Sequence, residues 1–444
     1  MTLALRASAW SWVAAAVGAG LALLLIDDPR LARASALAVA ALALWLGEAV
    51  PVFVPTLLLA AAIPVVMPAH PDFTLGQVLA AGANPVLTLF LGGMVMAAAA
   101  QRHGLDRALS SRLLRAARGS PLGVMAGCMA ASAGLSMWMS NVAATAMMLV
   151  VAMPLLASLA GDAPLRRAVL LGIAIGANLG GMATPIGTGP NALAITAAAA
   201  AGTPIAFAQW MLIALPPTII ALVGVGALIA WSHGVARAPR LAVGGAPAPL
   251  DRRGQATLAL AGAMIAAWLT GPLHGLPIEI IALIGAAAFF ATGLLAAEDL
   301  ARLDWATLLL IAGGLILGDL LGDAGVLRAV AEALRGLGLG HGLLIAALIA
   351  LAALASAVMS NTGTATLLIP LGMTVAPDPG TAVLIALGCS LGFPFAISTP
   401  PNAMVVAQGV RSRDLLLPGA VTLVVGVALA AWLGPWWLRL AGVG

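Results

Sequence analysis

The chain has 444 residues, of which 62% are hydrophobic and 8% charged, and its formal net charge is +4. A water-soluble domain of this length does not carry so much apolar surface, and a small positive balance made only of arginines leaves no footprint for nucleic acid. The composition is that of an all-α polytopic membrane protein; Cys128 and Cys389 sit in apolar stretches, without metal-ligand or disulfide spacing.

One bilayer crossing takes about 20 apolar residues, and by that measure the hydropathy pattern predicts about eleven spans. They fall near 9–26, 34–48, 51–67, 86–101, 166–200, 209–231, 255–271, 277–297, 305–319, 380–409 and 415–438. The first run has no small-residue cleavage site and reads as a retained span, not a signal peptide. Two of the spans, 166–200 and 380–409, contain prolines that break them. Residues 120–160 and 341–376 are long apolar runs with a polar middle, the pattern of re-entrant hairpins that enter and leave on one side. The stretches 102–118 and 319–337 carry charges at helical spacing and are expected along the membrane surfaces, with Asp319 and Asp323 in the outer one.

Arginine placement sets the orientation. With a cytoplasmic N-terminus and both hairpins re-entrant, fifteen arginines fall inside and five outside, which puts the C-terminus outside. A bacterial inner membrane is the expected location.

The chain also repeats itself. Gly92-Gly93-Met94 through Asp106-Arg107 reappears as Gly313-Gly314-Leu315 through Leu327-Arg328. Ser136, Ser140 and Asn141 reappear as Ser356, Ser360 and Asn361. The segment from Thr184 to Asn191 (Thr-Pro-Ile-Gly-Thr-Gly-Pro-Asn) returns as Ser398-Thr399-Pro400-Pro401-Asn402. An odd number of spans separates the copies, so they form inverted-topology repeats. The expected organisation is a first span (1–33), a first repeat (34–231), a cytoplasmic linker (232–254) and a second repeat (255–444).

These motifs carry the chemistry. Residues i and i+4 share a helix face, so Ser136 with Ser140, and Ser356 with Ser360, can join an Asn oxygen and freed carbonyls as uncharged oxygen donors suited to Na⁺. A lone membrane serine more often bonds its own helix or a neighbour; duplication argues for more than that. The proline breaks free backbone groups, and Asn141, Asn361, Thr188, Thr362 and Thr399 offer donors to an anion. No Arg, Asp or Glu occurs in 120–161, 168–236 or 342–377, so an anion bound there needs co-bound cations to offset its charge.

With these motifs the chain resembles the divalent anion:sodium symporter family of the ion transporter superfamily, over about residues 40–440. The resemblance implies symport of a divalent anion, most often a C4-dicarboxylate such as succinate, malate or fumarate, with two or more Na⁺ and no organic cofactor. It implies a homodimer in which scaffold and transport domains, each drawn from both repeats, work as an elevator. It implies one Na⁺ site at Ser136, Ser140, Asn141 and Gly187, and another at Ser356, Ser360, Asn361 and Ser398. It places substrate against Asn141, Thr188, Asn361, Thr362, Thr399 and Pro400. Two positions depart from the family pattern: Val142 stands where a threonine is usual, and Gly189 where a proline is usual.

The alternatives on the same fold are an anion exchanger, a sulfate or citrate symporter, and a transporter of a small oxyanion such as arsenite. A membrane-embedded enzyme would carry paired aspartates, a His-Glu-x-x-His or a serine with a histidine partner; none is present. Glu48 and Glu279 read as span-end residues, and His70, His103, His233, His274 and His341 lie in loops or at span ends and suggest no metal. Trp138, beside the first Ser-Asn pair, is expected to wall the pocket.

Overall fold

A computed structural model describes residues 2–47, 50–67, 71–157, 159, 163–241 and 249–443. Glu48, His70 and part of the linker lie outside the described residues. Among the described residues all the regular structure is helical.

The first half runs α1 (Thr2–Leu25), α2 (Pro29–Leu46), α3 (Val54–Val66), α4 (Leu75–Gly82), α5 (Val86–Arg102), α6 (Leu105–Ala116), α7 (Pro121–Ser136), α8 (Asn141–Leu156), α9 (Pro164–Gly180), α10 (Gly189–Ala200) and α11 (Phe207–Ser232). The second runs α12 (Arg252–Leu269), α13 (Gly271–His274), α14 (Ile278–Ala291), α15 (Ala297–Leu300), α16 (Trp305–Asp323), α17 (Val326–Gly336), α18 (His341–Ser356), α19 (Asn361–Val375), α20 (Pro379–Cys389), α21 (Pro400–Ala407), α22 (Ser412–Trp432) and α23 (Gly434–Leu440). The succession α5–α11 recurs as α16–α22. In both, a left-handed glycine, Gly104 (φ 69°) or Gly325 (φ 87°), turns a long apolar helix into a short charged one.

Local chemistry starts these helices. Asp28, Ser120 and Asp378 cap α2, α7 and α20, each followed by a proline at the first helical position. Ser140 and Ser360 cap the second arms of the two hairpins.

Among the described residues, four helical stretches are each long and apolar enough to cross a membrane: Pro164–Ala183, Phe207–Ser232, Trp305–Asp323 and Ser412–Trp432. A fifth results if α4 and α5, bent by 42° at their junction, count as one span. Shorter apolar helices include Val54–Val66, Pro121–Ser136, Asn141–Leu156, Ile278–Ala291, His341–Ser356 and Pro379–Cys389. One expectation is corrected. Asp319 and Asp323 belong to the last turns of α16, not to the surface helix, which begins only after Gly325.

Glycine sets the closest packing. Gly172, Gly176 and Gly180 line α9 where it crosses α7, and a Cβ at Gly172 would come 3.4 Å from Met129 Cβ. Ser132 Oγ donates to Ile173 O across the same crossing at 2.7 Å. The half-helices are exchanged between repeats: α10 packs on α19 and α20, and α21 packs on α8 and α9. A second apolar cluster, around Phe207, Trp268 and Phe289, joins α5, α12 and α14. Many large apolar side chains point outward, including Leu24, Val65, Trp231 and Trp432, as on a lipid-facing surface.

Candidate functional site

The exchange of half-helices brings both hairpin tips and both breaks to one place. A cavity of about 220 Å³ lies there. The first half contributes Ser140, Asn141, Val142, Gly187, Thr188 and Gly189 to its wall. The second contributes Ser360, Asn361, Thr362, Ser398, Thr399 and Pro400, and Thr307 of α16 adds a further hydroxyl. Trp138 also lines it, with Phe90 and Met94 of α5. Among the described residues no charged side chain does. All six residues expected to touch substrate are therefore brought together. Of those expected at Na⁺, all but Ser136 and Ser356 reach the cavity wall.

Ser136 and Ser356 are fully buried behind it. The helix ends at each of these serines and a new one starts at Asn141 or Asn361, so Ser136 and Ser140 do not share a continuous helical face as the i, i+4 reading supposed. Ser140 and Ser360 turn their hydroxyls to the amides of Ala143 (3.3 Å) and Gly363 (3.0 Å). A polar tip set amid apolar arms can end one helix and begin another only because these caps satisfy the freed amides.

Behind the first tip, Ser136 Oγ lies 2.6 Å from Asn141 Oδ1 and 2.7 Å from Ala177 O. One hydroxyl proton cannot serve both acceptors at once. If it goes to Ala177 O, the Asn141 oxygen and the serine lone pairs face each other with no proton between them. Gly181 gives these oxygens room. A Cβ there would come 2.6 Å from Asn141 Oδ1 and 3.1 Å from Gly187 O. At the second tip, Ser356 Oγ donates to its own helix, at Ala353 O (3.3 Å). Asn361 Oδ1 is buried without a hydrogen-bond partner.

Two asparagines hold the breaks open. Asn191 Nδ2 donates to Gly181 O (2.9 Å) and Thr184 O (2.7 Å), and Asn402 Nδ2 to Phe393 O (3.0 Å) and Phe395 O (2.8 Å). The hydroxyls of Thr184 and Ser398 clamp the breaks to the hairpin tips at Met137 O and Ala357 O. The sequence reading placed Asn191 and Asn402 in the motifs without a role; they are braces. It missed Gly181 and Asn178. The adjacent glycines before the first break were the available signal for Gly181; Asn178 had only its polarity in an apolar helix.

The two departures from the family pattern meet different surroundings. A Cβ at Gly189 would collide with the Thr362 side chain, so glycine at 189 makes room for the threonine of the other half. Val142 is 43% exposed, on the cavity wall. Thr145, the nearest hydroxyl to Val142 in the same helix, is fully buried and does not line the cavity.

Trp138 stacks on Phe207 at 6.2 Å, and Phe207 on Trp268 at 4.9 Å, joining the first hairpin tip to α12. Away from the cavity, Asp299 pairs with Arg102. Its carboxyl is held below the usual range, first by the Ala296 amide and then by that arginine. Among the described residues no group of three His, Cys, Asp or Glu could hold a metal ion.

Hairpins and broken helices that converge on an uncharged polar cavity define a multi-pass membrane transporter, not an enzyme. A sequence model of the citrate transporter family, CitMHS, matches residues 42–387 and 274–442, and the chain belongs to that family. It is 30% identical over 430 residues to an uncharacterized transporter of Haemophilus influenzae, covering 89% of this chain and 90% of the relative. It is 26% identical to the sodium-dependent dicarboxylate transporter SdcS of Staphylococcus aureus, over 82% of this chain and 78% of that one. It is 29% identical to the low-affinity phosphate transporter PHO90 of Saccharomyces cerevisiae, over 66% of this chain but 34% of that protein. The YdaH transporter of Alcanivorax borkumensis shares the fold, with a TM-score of 0.59 over 86% of this chain and 97% of that one, at 16% identity.

Proposed function

We propose that this protein is a Na⁺-coupled symporter that carries a small carboxylate anion, with the C4-dicarboxylate succinate as its reference substrate. The observation that carries the proposal is the cavity itself, where the tips and breaks of both repeats meet without a charged side chain. A carboxylate taken from water into such a site is costly unless positive charge enters with it. The buried, unpartnered Asn361 Oδ1 calls for a donor or a cation. One Na⁺ seat uses Asn141, Ser140, Gly187 and the Ser136 hydroxyl behind them. The other uses Asn361, Ser360 and Ser398, with Ser356 behind. The sodium dependence carried in the name of SdcS supports the same cargo. The hairpins, breaks and half-helices would form the transport domain of each repeat, moving against a scaffold built on α1–α5 and α12–α16 in a homodimer, by an elevator in a bacterial inner membrane. The copies would be inverted, with the N-terminus cytoplasmic and the C-terminus outside.

The test is uptake of radiolabelled succinate into proteoliposomes, with Na⁺ or K⁺ outside and no anion within. Uptake that requires the Na⁺ gradient supports symport. Uptake that ignores Na⁺ but needs preloaded anion would replace symport with exchange.

A further inference from the structure

We infer that the cavity is built for one acid group, not two, and that its substrates are small monocarboxylates with an apolar or aromatic end. This rests on the symporter reading and narrows it away from the C4-dicarboxylates that the motifs imply.

The two sides of the cavity differ at equivalent positions. Taking Asn141 with Asn361 as the pair that aligns the hairpin tips, Val142 stands opposite Thr362 and Trp138 opposite Val358. Beside Ser140, Asn141 and Thr188, the first side therefore presents Trp138, Val142 and Ile186, with Met94 alongside. The second presents Thr362, Ser398 and Thr399. A carboxylate facing the first side would lose a hydroxyl donor and meet apolar surface; a methylene or ring there replaces water at a gain.

The second side is also wired as a donor, through a residue of the first half. Thr399 Oγ1 accepts from Asn178 Nδ2 at 3.1 Å and from the Asn402 amide at 3.4 Å. A hydroxyl has two acceptor sites and one proton. With both acceptor sites taken, the remaining capacity of Thr399 is its O–H, which is left to donate into the cavity. A carboxylate oxygen accepts such a bond, and bonds to charged groups are the stronger kind. The first side has no such wiring. Thr188 makes no cap bond of the kind Thr399 makes. The position at the end of α20 that matches Asn178, two residues before the glycine packed on the hairpin (Gly392 as against Gly180), is the C-cap residue Ser390. Its short side chain turns back to Ala386 O at 3.5 Å. Thus one threonine is polarised to donate and its twin is not. The volume, about 220 Å³, lies below the range of drug-sized sites, which fits a small acid.

Phenylacetate and hexanoate are the probes, with succinate and inorganic phosphate for comparison. Thermal unfolding of the purified full-length chain in detergent is followed in NaCl and in KCl as each anion is titrated, alongside Na⁺-driven uptake in proteoliposomes. The monocarboxylates should protect in Na⁺ at concentrations about tenfold below those of succinate, the worth of one hydrogen bond to a charged group. Val142→Thr changes an exposed position, so it should fold, and it should narrow or reverse that ratio. Asn178→Ala acts on the acid-binding side through Thr399, so it should weaken both classes alike and leave the ratio unmoved. Succinate or phosphate protecting at lower concentrations than both monocarboxylates would overturn the inference. So would a ratio unchanged in Val142→Thr. Na⁺-dependent succinate uptake with monocarboxylates inert would sink this inference and leave the symporter standing. No anion showing any preference for Na⁺ over K⁺ would sink both.

Discussion

Ser136 and Ser356 each end the first arm of a hairpin, four residues before a capping serine and five before an asparagine, yet they do different things. Ser136 reaches across to α9 and touches the Asn141 oxygen. Ser356 stays on its own helix and leaves the Asn361 oxygen without a partner. The same motif thus yields one half-site in which protein oxygens already share a proton and another with an open acceptor. The reason lies outside the motif. It depends on what the crossing helix offers: Ala177 O within reach on α9, and on the other side Gly392, where an added Cβ would meet the Ser356 hydroxyl. A sequence repeat conserves local spacing; the chemistry of each copy is settled by the neighbours that packing supplies.

Breaking the open half-site should cost most. Asn361→Ala removes the buried acceptor and an amide donor together. Na⁺-driven uptake should fall by about 100-fold or more, the equivalent of two lost bonds to charged groups. Asn141→Ala, whose oxygen already has Ser136, should lose less. Equal losses measured as initial rates would erase the distinction between the halves.

Next comes the exchange of parts between them. Gly189→Pro copies Pro400 of the second break into the first, but its ring would strike Thr362. Overpacking of this kind costs about 1–3 kcal/mol. The melting temperature should fall, and Gly189→Pro with Thr362→Ala, which removes the γ atoms that the ring would strike, should recover part of it. A single variant as stable as the parent would mean that Gly189 is not there to admit Thr362.

Smaller still is the contrast between the serines themselves. Ser136→Ala strips a hydroxyl that two oxygens share, and should cost about 1 kcal/mol with a several-fold rise in the Na⁺ concentration for half-maximal uptake. Ser356→Ala removes only a back-bond within its own helix and should change the Na⁺ dependence little. A larger effect at Ser356 would place the better-made cation seat in the second half.

Much of this arrangement was legible before any coordinates. Composition gave the membrane class, the duplicated Ser-Asn and Pro-Asn segments located the cavity, and prolines with capping residues located the breaks. What could not be read depends on contacts distant in sequence. Asn178 and Thr399 stand 221 positions apart, and no periodic signal joins them. Thr362 and Gly189 read as one intact motif and one departure, when they are a fitted pair. The i, i+4 argument for the serines failed because the helix ends at Ser136; the polar middle foretold a hairpin, but not that the chain unwinds for the three residues between Ser136 and the serine cap that restarts it.

The smallest effect tests whether the asymmetry extends to the ends of the halves. Arg167 of α9 pairs with Asp414 of α22 at 3.2 Å, tying one half to the other, and His233 lies beside them at the end of α11. Burial lowers the His233 pKa from its ordinary 6.5, and Arg167 lowers it further, against the Ile229 carbonyl and Asp414, which raise it. The folded chain therefore holds this imidazole neutral where the unfolded chain would protonate it. Between the folded value and 6.5 the unfolded state binds more protons, so stability rises with pH across that window and is lost on acidification. The melting temperature should drop from pH 7.5 to 5.5, and His233→Gln should flatten the drop without moving the value at pH 7.5. If the variant retains the full slope, another group sets the acid response, and the Arg167–Asp414 tie is indifferent to the histidine beside it.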